Sequence, residues 1–410
     1  MLRGVTASIA PRPVLTAACA ALLALAGCAR PASHYAIQMA MSSAYRPPSD
    51  AGLWRAPALG APVQVLAGDM HCHVSPPDHP LEASRDPAAT VALARAEGLD
   101  FVVLTPHVAA RFFQHEELRE AVLAEQERLR DELAARSDGR TTFIVGMEYT
   151  DHEYGHVGVA FADLRAVLAD VPAHEARERP ARFFERVVAR GGFLVINHPL
   201  SEPIDSSIRM ARADLSWRPF TSAAPVTEEI AAVNRLALGV EAYNMVVTHM
   251  RDRYLLGDTP RTLLATLSRT DREILAQGRR LVPVGGSDSH TDYLRPTTFV
   301  RAAGRTEAAI RDALVAGRTC VRSPEACSFA VRPPDGAWHP VGASLPAAPA
   351  IEAQAHGADF EVIVDGQAVA SAADSEIVRI PLSKGGCSVV RARVGDGFSA
   401  PIYVGCPFAD

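Results

Sequence analysis

The chain has 410 residues, of which 48% are hydrophobic and 21% are charged. This composition supports a large apolar core and excludes a disordered, coiled-coil or collagen-like protein. The 41 Lys and Arg residues are outnumbered by 47 Asp and Glu, so the formal net charge is −6 and there is no basic excess to neutralise nucleic-acid phosphates. We therefore expect no nucleic-acid partner.

The N-terminal region has the features of an export signal. An apolar run over 14–26 is shorter than the ~20 residues that cross a bilayer, and its length is typical of a secretory signal. The run ends in Leu25-Ala26-Gly27-Cys28, which resembles a bacterial lipobox. We predict a lipoprotein signal peptide over 1–27, lipidation of Cys28 and a tether over 28–60; a simple signal peptide is the alternative. The protein is then expected in the cell envelope, lipid-anchored at the outer membrane or facing the periplasm.

Short β-branched runs alternate with amphipathic stretches from residue 63 to residue 318. The predicted strands are 63–66, 101–104, 142–145, 157–160, 193–196, 239–242 and 281–284. The predicted helices are 88–97, 116–136, 181–190, 228–238, 260–277 and 307–316. This alternation predicts an α/β fold with a (β/α) barrel over 61–320.

After Gly317 the pattern changes to short runs separated by Pro, Gly and Asp. The runs 328–331, 360–364, 378–380 and 389–392 predict a small all-β C-terminal module over 321–410. Two roles are open for this module: it serves for support or docking, or it packs as a lid over the edge of the barrel. Four cysteines predict one or two disulfides in an exported protein, with the pairing open: Cys320, Cys327, Cys387 and Cys406.

Histidines and acids follow the predicted strands, at the end where barrel enzymes hold their catalytic residues. The motifs are Asp69-Met70-His71-Cys72-His73 with Asp78-His79, Thr105-Pro106-His107, Gly146-Met147-Glu148, His156, Asn197-His198-Pro199, Glu241-Ala242-Tyr243-Asn244 and Gly286-Ser287-Asp288-Ser289-His290. Each motif alone is also compatible with a hydrogen-bonded loop residue or a solvated acid. Together they favour a metal centre, because imidazole and carboxylate are common metal ligands.

These motifs resemble the PHP (polymerase and histidinol phosphatase) superfamily of metal-dependent phosphoesterases, whose fold is a distorted (β/α)7 barrel. The resemblance implies a first metal held by His71, His73, Glu148 and Asp288, a second by Glu148, His156 and His198, and a third by His79, His107 and His290. Asp78 is a rival of His79 for the third metal. Two to three divalent ions are expected, with Zn, Mn and Fe all compatible. Thr105-Pro106-His107 departs from the family pattern, because it lacks an acid before the histidine.

The resemblance also implies a mechanism in which a metal-bridging hydroxide is the nucleophile and Glu148, Asp288 and His198 are the catalytic residues. The expected substrate is a small anionic molecule. Candidate substrate contacts are Arg111, Arg251 and Arg253, and candidate general acids are His152 and His249.

The sequence therefore predicts an exported, membrane-tethered metal-dependent hydrolase, with phosphoesters as the favoured substrates. Residues 313–321 resemble the carbaryl-hydrolase-type branch of PHP proteins, so hydrolysis of a carbamate, ester or amide is the alternative. A second alternative is a non-catalytic metal-binding lipoprotein. The physiological substrate and the oligomeric state stay open.

Overall fold

The computed structural model describes residues 63–80, 82–151, 155–199, 227–245, 259–334, 336–383 and 386–408. Several predictions fall outside these ranges: the signal peptide, the tether, Cys28, His152, His249, Arg251 and Arg253. The described part is a mixed α/β fold, as predicted. Within it, no helix combines the length and the apolar character that crossing a membrane requires.

The described ranges contain nine α-helices and one 3₁₀ turn. The helices are α1 Pro87–Ala96, α2 Arg111–Gln114, α3 Glu116–Arg136, α4 Leu164–Ala169, α5 Ala173–Glu178, α6 Pro180–Ala189, α7 Glu228–Leu236, α8 Thr259–Gln277 and α9 Glu307–Val315, and the 3₁₀ turn is Pro324–Ser328. Side chains cap several N-termini, as Asp86 does by accepting a hydrogen bond from the Ala89 amide at 2.7 Å. Helix α3 has the predicted bounds.

Strands account for most of the remaining regular structure. They are β1 Gln64–Cys72, β2 Phe101–Leu104, β3 His107–Ala109, β4 Thr142–Val145, β5 Met147–Asp151, β6 Gly155–Ala160, β7 Phe193–Ile196, β8 Gly239–Asn244, β9 Val282–Gly286, β10 Thr298–Ala302 and β11 Thr319–Val321. The C-terminal strands are β12 Ala330–Arg332, β13 His339–Pro340, β14 Ser344–Leu345, β15 Ala350–Gln354, β16 Phe360–Val364, β17 Gln367–Ala372, β18 Val378–Pro381, β19 Ser388–Val394, β20 Gly397–Ser399 and β21 Ile402–Val404.

The strands of the N-terminal part are divided between two large sheets. One has the order β3-β5-β6-β7-β8-β9, and the other runs β14-β21-β19-β20-β11-β10-β1-β2-β4 with β16 and β17 attached to β19. The chain passes from one sheet to the other between β2 and β3 and again between β4 and β5. Strand β6 is antiparallel to both β5 and β7, which departs from a regular all-parallel (β/α) order.

The segment after β9 lies against the C-terminal end of β1. The Asp288 amide donates to the His71 carbonyl at 2.7 Å, and the His73 amide donates to the Ser289 carbonyl at 2.9 Å. Cys72 and Ser289 form a parallel bridge. Two of the polar motifs, far apart in the chain, therefore lie side by side.

An aromatic cluster supports the strand that carries Glu148. Phe113, Phe183 and Phe184 are buried, and the ring centroids of Phe113 and Phe183 lie 4.6 Å apart. Tyr149, next to Glu148 on β5, meets the Phe184 ring edge-on at 4.9 Å. Each buried aromatic side chain contributes about 1.5–3 kcal/mol to the free energy of folding, so this cluster holds β5 firmly.

The C-terminal strands continue the sheet that contains β1, because β11 pairs with β10 on one side and β20 on the other. The predicted boundary at 320/321 therefore falls inside a strand that both parts share. The buried Arg391 pairs with Asp271 on α8, and the Tyr403 hydroxyl donates to the Leu281 carbonyl at 3.1 Å. A separate four-stranded sheet has the order β13-β12-β15-β18.

Both cysteine pairs of the C-terminal part are bonded, Cys320 to Cys327 and Cys387 to Cys406. The sequence predicted one or two bridges among these four residues without giving the pairing. The first bridge links β11 to the 3₁₀ turn, and the second links the start of β19 to the segment after β21.

Candidate metal centre

Glu148 lies at the centre of a buried group of histidines, and its two oxygens face different members of that group. Oε1 lies 3.0 Å from Nδ1 of His156 and 3.3 Å from Nε2 of both His71 and His198. Oε2 lies 3.4 Å from Nε2 of His107 and 3.7 Å from Nε2 of His73. One carboxylate therefore reaches two sets of imidazoles.

His71 and His73 project from the end of β1, and Asp288 meets both of them. Its Oδ1 lies 3.3 Å from His73 Nε2 and 3.5 Å from His71 Nε2. Asp288 and His198 have φ angles of 51° and 28°, a region that non-glycine residues rarely adopt. Such backbone strain is typical of functional sites, where the surrounding structure maintains it.

His73, His107 and His290 form a stack of rings. The His73 centroid lies 4.1 Å from that of His107 and 3.9 Å from that of His290. Nδ1 of His290 lies 2.9 Å from the Asp288 carbonyl, which can only accept, so Nδ1 carries the proton and Nε2 has a free lone pair. That Nε2 is buried, and none of the residues that the structure describes forms a hydrogen bond with it. Burial, reinforced by the charge of His73, keeps the pKa of His290 well below its usual range.

Two carboxylates, those of Asp78 and Glu241, contact the Nδ1 atoms of His71, His73 and His107. Asp78 Oδ2 lies 2.9 Å from His73 Nδ1, and its Oδ1 lies 3.2 Å from His107 Nδ1. Glu241 Oε1 lies 3.0 Å from His71 Nδ1, and its Oε2 accepts from the His198 amide at 2.7 Å. Such contacts protonate Nδ1 and leave Nε2 available as a ligand, which is the usual arrangement behind metal-binding histidines.

Two asparagines also donate hydrogen bonds to the carboxylates of the cluster. Asn197 donates to Glu148 Oε1 at 2.8 Å. Asn244 donates to Asp288 Oδ2 and to Glu241 Oε2, both at 3.0 Å. These amides fix the carboxylates without adding charge. The sequence identified both asparagines within motifs but gave no role to either.

The carboxylates at the centre are strongly stabilised as anions. Burial opposes the charge of Glu148, but attraction to His156 and His71 outweighs it and holds the pKa of Glu148 well below its usual range. The same balance, with His71 as the largest favourable cause, lowers the pKa of Asp288. For His73, burial is outweighed by contacts with Asp288 and Asp78, which raise its pKa to about 9.

The donor set fits divalent metal ions. Within the described ranges, four groups have ligand atoms within 4.8 Å of one another: His71–His73–Asp288, His71–Glu148–His198, His73–His107–His290 and Asp78–Glu82–His107. Among the described residues, the buried Nε2 of His290 has no hydrogen-bond partner, and a metal would satisfy its lone pair. Imidazole with carboxylate suits Zn²⁺, Mn²⁺ and Fe²⁺ alike.

The structure brings eight of the nine residues predicted as ligands into this cluster: His71, His73, His107, Glu148, His156, His198, Asp288 and His290. His79 is exposed and belongs to none of the four described groups, whereas its rival Asp78 is buried beside His73 and His107. Arg111, a predicted substrate contact, is exposed, and its guanidinium lies over the Phe112 ring at 5.2 Å.

Arg85 is a supporting residue that the sequence analysis missed. It is buried, and it donates to the His73 carbonyl at 2.9 Å, to Ser289 Oγ at 2.8 Å and to the Tyr293 carbonyl at 3.0 Å. These contacts link the motif at the end of β1 to the segment that follows β9. No local signal distinguishes it, because its partners come from distant segments.

Solved structures that are similar to this chain include two at low sequence identity. A two-domain protein containing a predicted PHP-like metal-dependent phosphoesterase, from Bacteroides vulgatus ATCC 8482, is 17% identical over 84% of this chain and 95% of that chain, with a TM-score of 0.43. PsfC from Pseudomonas syringae PB-5123 is 15% identical over 58% of this chain and 82% of that chain, with a TM-score of 0.34. No family model and no curated protein matches the chain.

Because both TM-scores are low, the assignment depends on the side chains of the cluster. The structure brings these imidazole and carboxylate groups together, with ligand atoms within 4.8 Å of one another. The described His, Asp and Glu groups could therefore hold divalent metal ions, as the motifs predicted.

Proposed function

We propose that the protein is a metal-dependent phosphoesterase that acts on small anionic substrates. The observation that carries the proposal is the position of Glu148, whose two oxygens face separate histidine sets at 3.0–3.7 Å. A carboxylate so placed is suited to bridging metal ions, as in two-metal hydrolases. We also propose that the strands around this cluster form the distorted (β/α)7 barrel of the PHP fold.

Two to three divalent ions, of Zn, Mn or Fe, would be held by the residues of the cluster. His71, His73 and Asp288 would hold one ion, His156 and His198 the second, with Glu148 shared, and His107 and His290 the third beside His73. When bound, such ions lower the pKa of water and neutralise charge on a phosphoryl group.

The protein's own residues would orient this chemistry. Glu241 and Asp78 hold the Nδ1 atoms of His71 and His73, so that the Nε2 atoms face inward. Asn244 fixes the Asp288 carboxylate at 3.0 Å. Burial of the cluster excludes bulk water, which strengthens electrostatic interactions with a charged substrate.

The test measures metal content and turnover on one sample of residues 29–410. Elemental analysis would count the ions, and the same sample would be assayed with p-nitrophenyl phosphate, bis-p-nitrophenyl phosphate and 1-naphthyl N-methylcarbamate, with and without Mn²⁺. We expect two to three ions and phosphoester turnover. Glu148→Ala should lose both, whereas Glu117→Ala, which changes an exposed acid on α3, should retain both.

Other results would contradict the proposal in different ways. Turnover of the carbamate alone would indicate the carbaryl-hydrolase-type activity that residues 313–321 suggest. One ion or none, with no turnover after metal is restored, would indicate a binding protein. Full activity of Glu148→Ala would exclude the bridged-metal mechanism.

We further propose that the protein is exported and lipid-anchored through Cys28. The bonded pairs Cys320–Cys327 and Cys387–Cys406 support export, since disulfides persist in oxidising compartments. Cys28→Ser should move the protein from the membrane fraction to the soluble fraction. The matched control Cys19→Ser, inside the predicted signal, should stay in the membrane fraction. Membrane binding of both variants would contradict lipidation at Cys28.

A further inference from the structure

Arg322 lies at the metal end of the large sheet. Strand β1 enters the cluster with His71, and it pairs antiparallel with β10, where Gly68 faces Thr298. Strand β11 in turn pairs antiparallel with β10, where Thr298 faces Val321. Arg322 follows Val321 directly, so it leaves the sheet at the same end at which β1 reaches the ligands.

The guanidinium of Arg322 also packs on a second strand, β8. The Cζ atom of Arg322 lies 5.3 Å from the ring centroid of Tyr243, on β8. Tyr243 stands between Glu241, which contacts His71, and Asn244, which donates to Asp288. The guanidinium is therefore stacked on the strand that supports two of the metal ligands.

The charge of Arg322 is not neutralised by a described carboxylate, since none forms an ion pair with it. The residue is half-buried, and its backbone amide donates to the Thr297 carbonyl at 3.0 Å. Stacking on an aromatic ring orients a guanidinium while leaving its N–H edge available to an acceptor. The N–H edge of such a guanidinium is suited to binding an anionic ligand.

The backbone of Arg322 is also strained. Its φ is 69°, which an L-residue adopts at an energetic cost and which glycine adopts freely. The chain thus keeps an arginine where glycine would be more stable. Strain of this kind is consistent with a side chain retained for function.

We propose that Arg322, held by Tyr243, is a substrate-binding residue that contacts the phosphate oxygens of the substrate beside the metal cluster. The planar guanidinium fork matches the geometry of two phosphate oxygens. The inference rests on the proposed phosphoesterase function and deepens it, because it favours phosphate esters over neutral carbamates.

The test measures the binding of inorganic phosphate to the metal-loaded protein by isothermal titration calorimetry, together with KM for p-nitrophenyl phosphate. Arg322→Gln removes the charge, and Arg322→Gly also relieves the backbone. We expect both to weaken phosphate binding and to raise KM by about tenfold or more, because a charge-assisted contact is lost. Metal content should not change, and Arg322→Gly should unfold at a temperature no lower than that of the unchanged protein.

Arg332→Gln is the matched control. Arg332 also stacks on an aromatic ring, with its Cζ 4.7 Å from the Trp338 centroid, but it lies on the separate four-stranded sheet and pairs with Glu352. This variant should bind phosphate as the unchanged protein does.

The outcomes separate the inference from the proposed function. Unchanged phosphate binding in both Arg322 variants would overturn the inference, even if phosphoesters are hydrolysed. Weaker phosphate binding in both variants would support an anion contact by Arg322, whichever ester the unchanged protein hydrolyses. Hydrolysis of carbamates alone would overturn the phosphoesterase proposal but not that contact.

Discussion

Glu241 shows how a residue outside the ligand set controls the metal centre. Its Oε1 lies 3.0 Å from His71 Nδ1, so it decides which nitrogen His71 presents to the cluster. Glu241→Gln keeps the shape of the side chain but removes the charge that supports the imidazole. Outer carboxylates of this kind typically contribute 10–100-fold to metal affinity, and we expect a loss of about that size. Competition with a chromogenic chelator would measure it.

Glu125→Gln is the control for this variant, because Glu125 is half-buried on α3 and pairs only with Arg128 at 3.4 Å among the residues described. It should bind metal as the unchanged protein does. Equal affinity in Glu241→Gln and in the control would show that Glu241 does not orient His71.

At the level of single residues, the sequence predicted the proposed metal ligands better than the residues that support those ligands. His71, Glu148 and Asp288 each follow a recognisable strand, so their positions along the chain were enough to place them together. The contact between Glu241 and His71 spans 170 residues, and no local pattern encodes it. His79 and Asp78 are adjacent in sequence, and only the folded loop shows that Asp78 is buried and His79 exposed.

The end of β9 is packed so closely that it accepts only glycine at position 286. A Cβ there would lie 2.3 Å from Glu241 Oε1 and 2.3 Å from His71 Cβ. Gly286→Ala should therefore displace His71, lower the metal content and cost about 1–3 kcal/mol of unfolding free energy. Elemental analysis and urea unfolding would measure these two effects.

Gly304→Ala provides the comparison, since a Cβ at Gly304 meets no atom within 4 Å. Its metal content and stability should match those of the unchanged protein. If Gly286→Ala behaved in the same way, the close packing between β9 and β1 would be contradicted.

The strands show why the sequence predicted the first and last residues of some elements correctly and those of others wrongly. Phe101–Leu104 and Phe193–Ile196 are uninterrupted apolar runs, and their bounds match the prediction. Strand β1 was predicted to end at Leu66 but continues to Cys72, because tertiary contacts accommodate residues that interrupt the pattern. The Phe101 ring covers Gly68, and Asp69 accepts from the Ser287 amide at 2.9 Å.

Across the whole molecule, the buried pair of Asp271 and Arg391 joins α8 to the C-terminal strand β19. Arg391→Met would leave Asp271 buried without its cation, which typically costs 3–5 kcal/mol. We expect a loss of about that size in urea unfolding. The double variant Asp271→Leu/Arg391→Met should recover most of it, because no charge is then left buried alone.

Arg393→Met tests whether the effect is specific, because Arg393 is exposed on the same strand. It donates to the Gly395 carbonyl at 3.2 Å, and its Cζ lies 6.0 Å from the Phe398 ring centroid. It should be close to neutral. A double variant as unstable as Arg391→Met would indicate that packing, not the unpaired charge, determines the loss.

The pairing of β1 with β10 has a consequence for the time course of folding. Gln64, at the start of the first described strand, pairs with Ala302, so this edge of β1 has no partner until most of the chain has been synthesised. Contacts between such distant residues form slowly. The edge of β1 that faces β10 is therefore expected to pair late in folding, after the other edge has paired with the nearby strand β2.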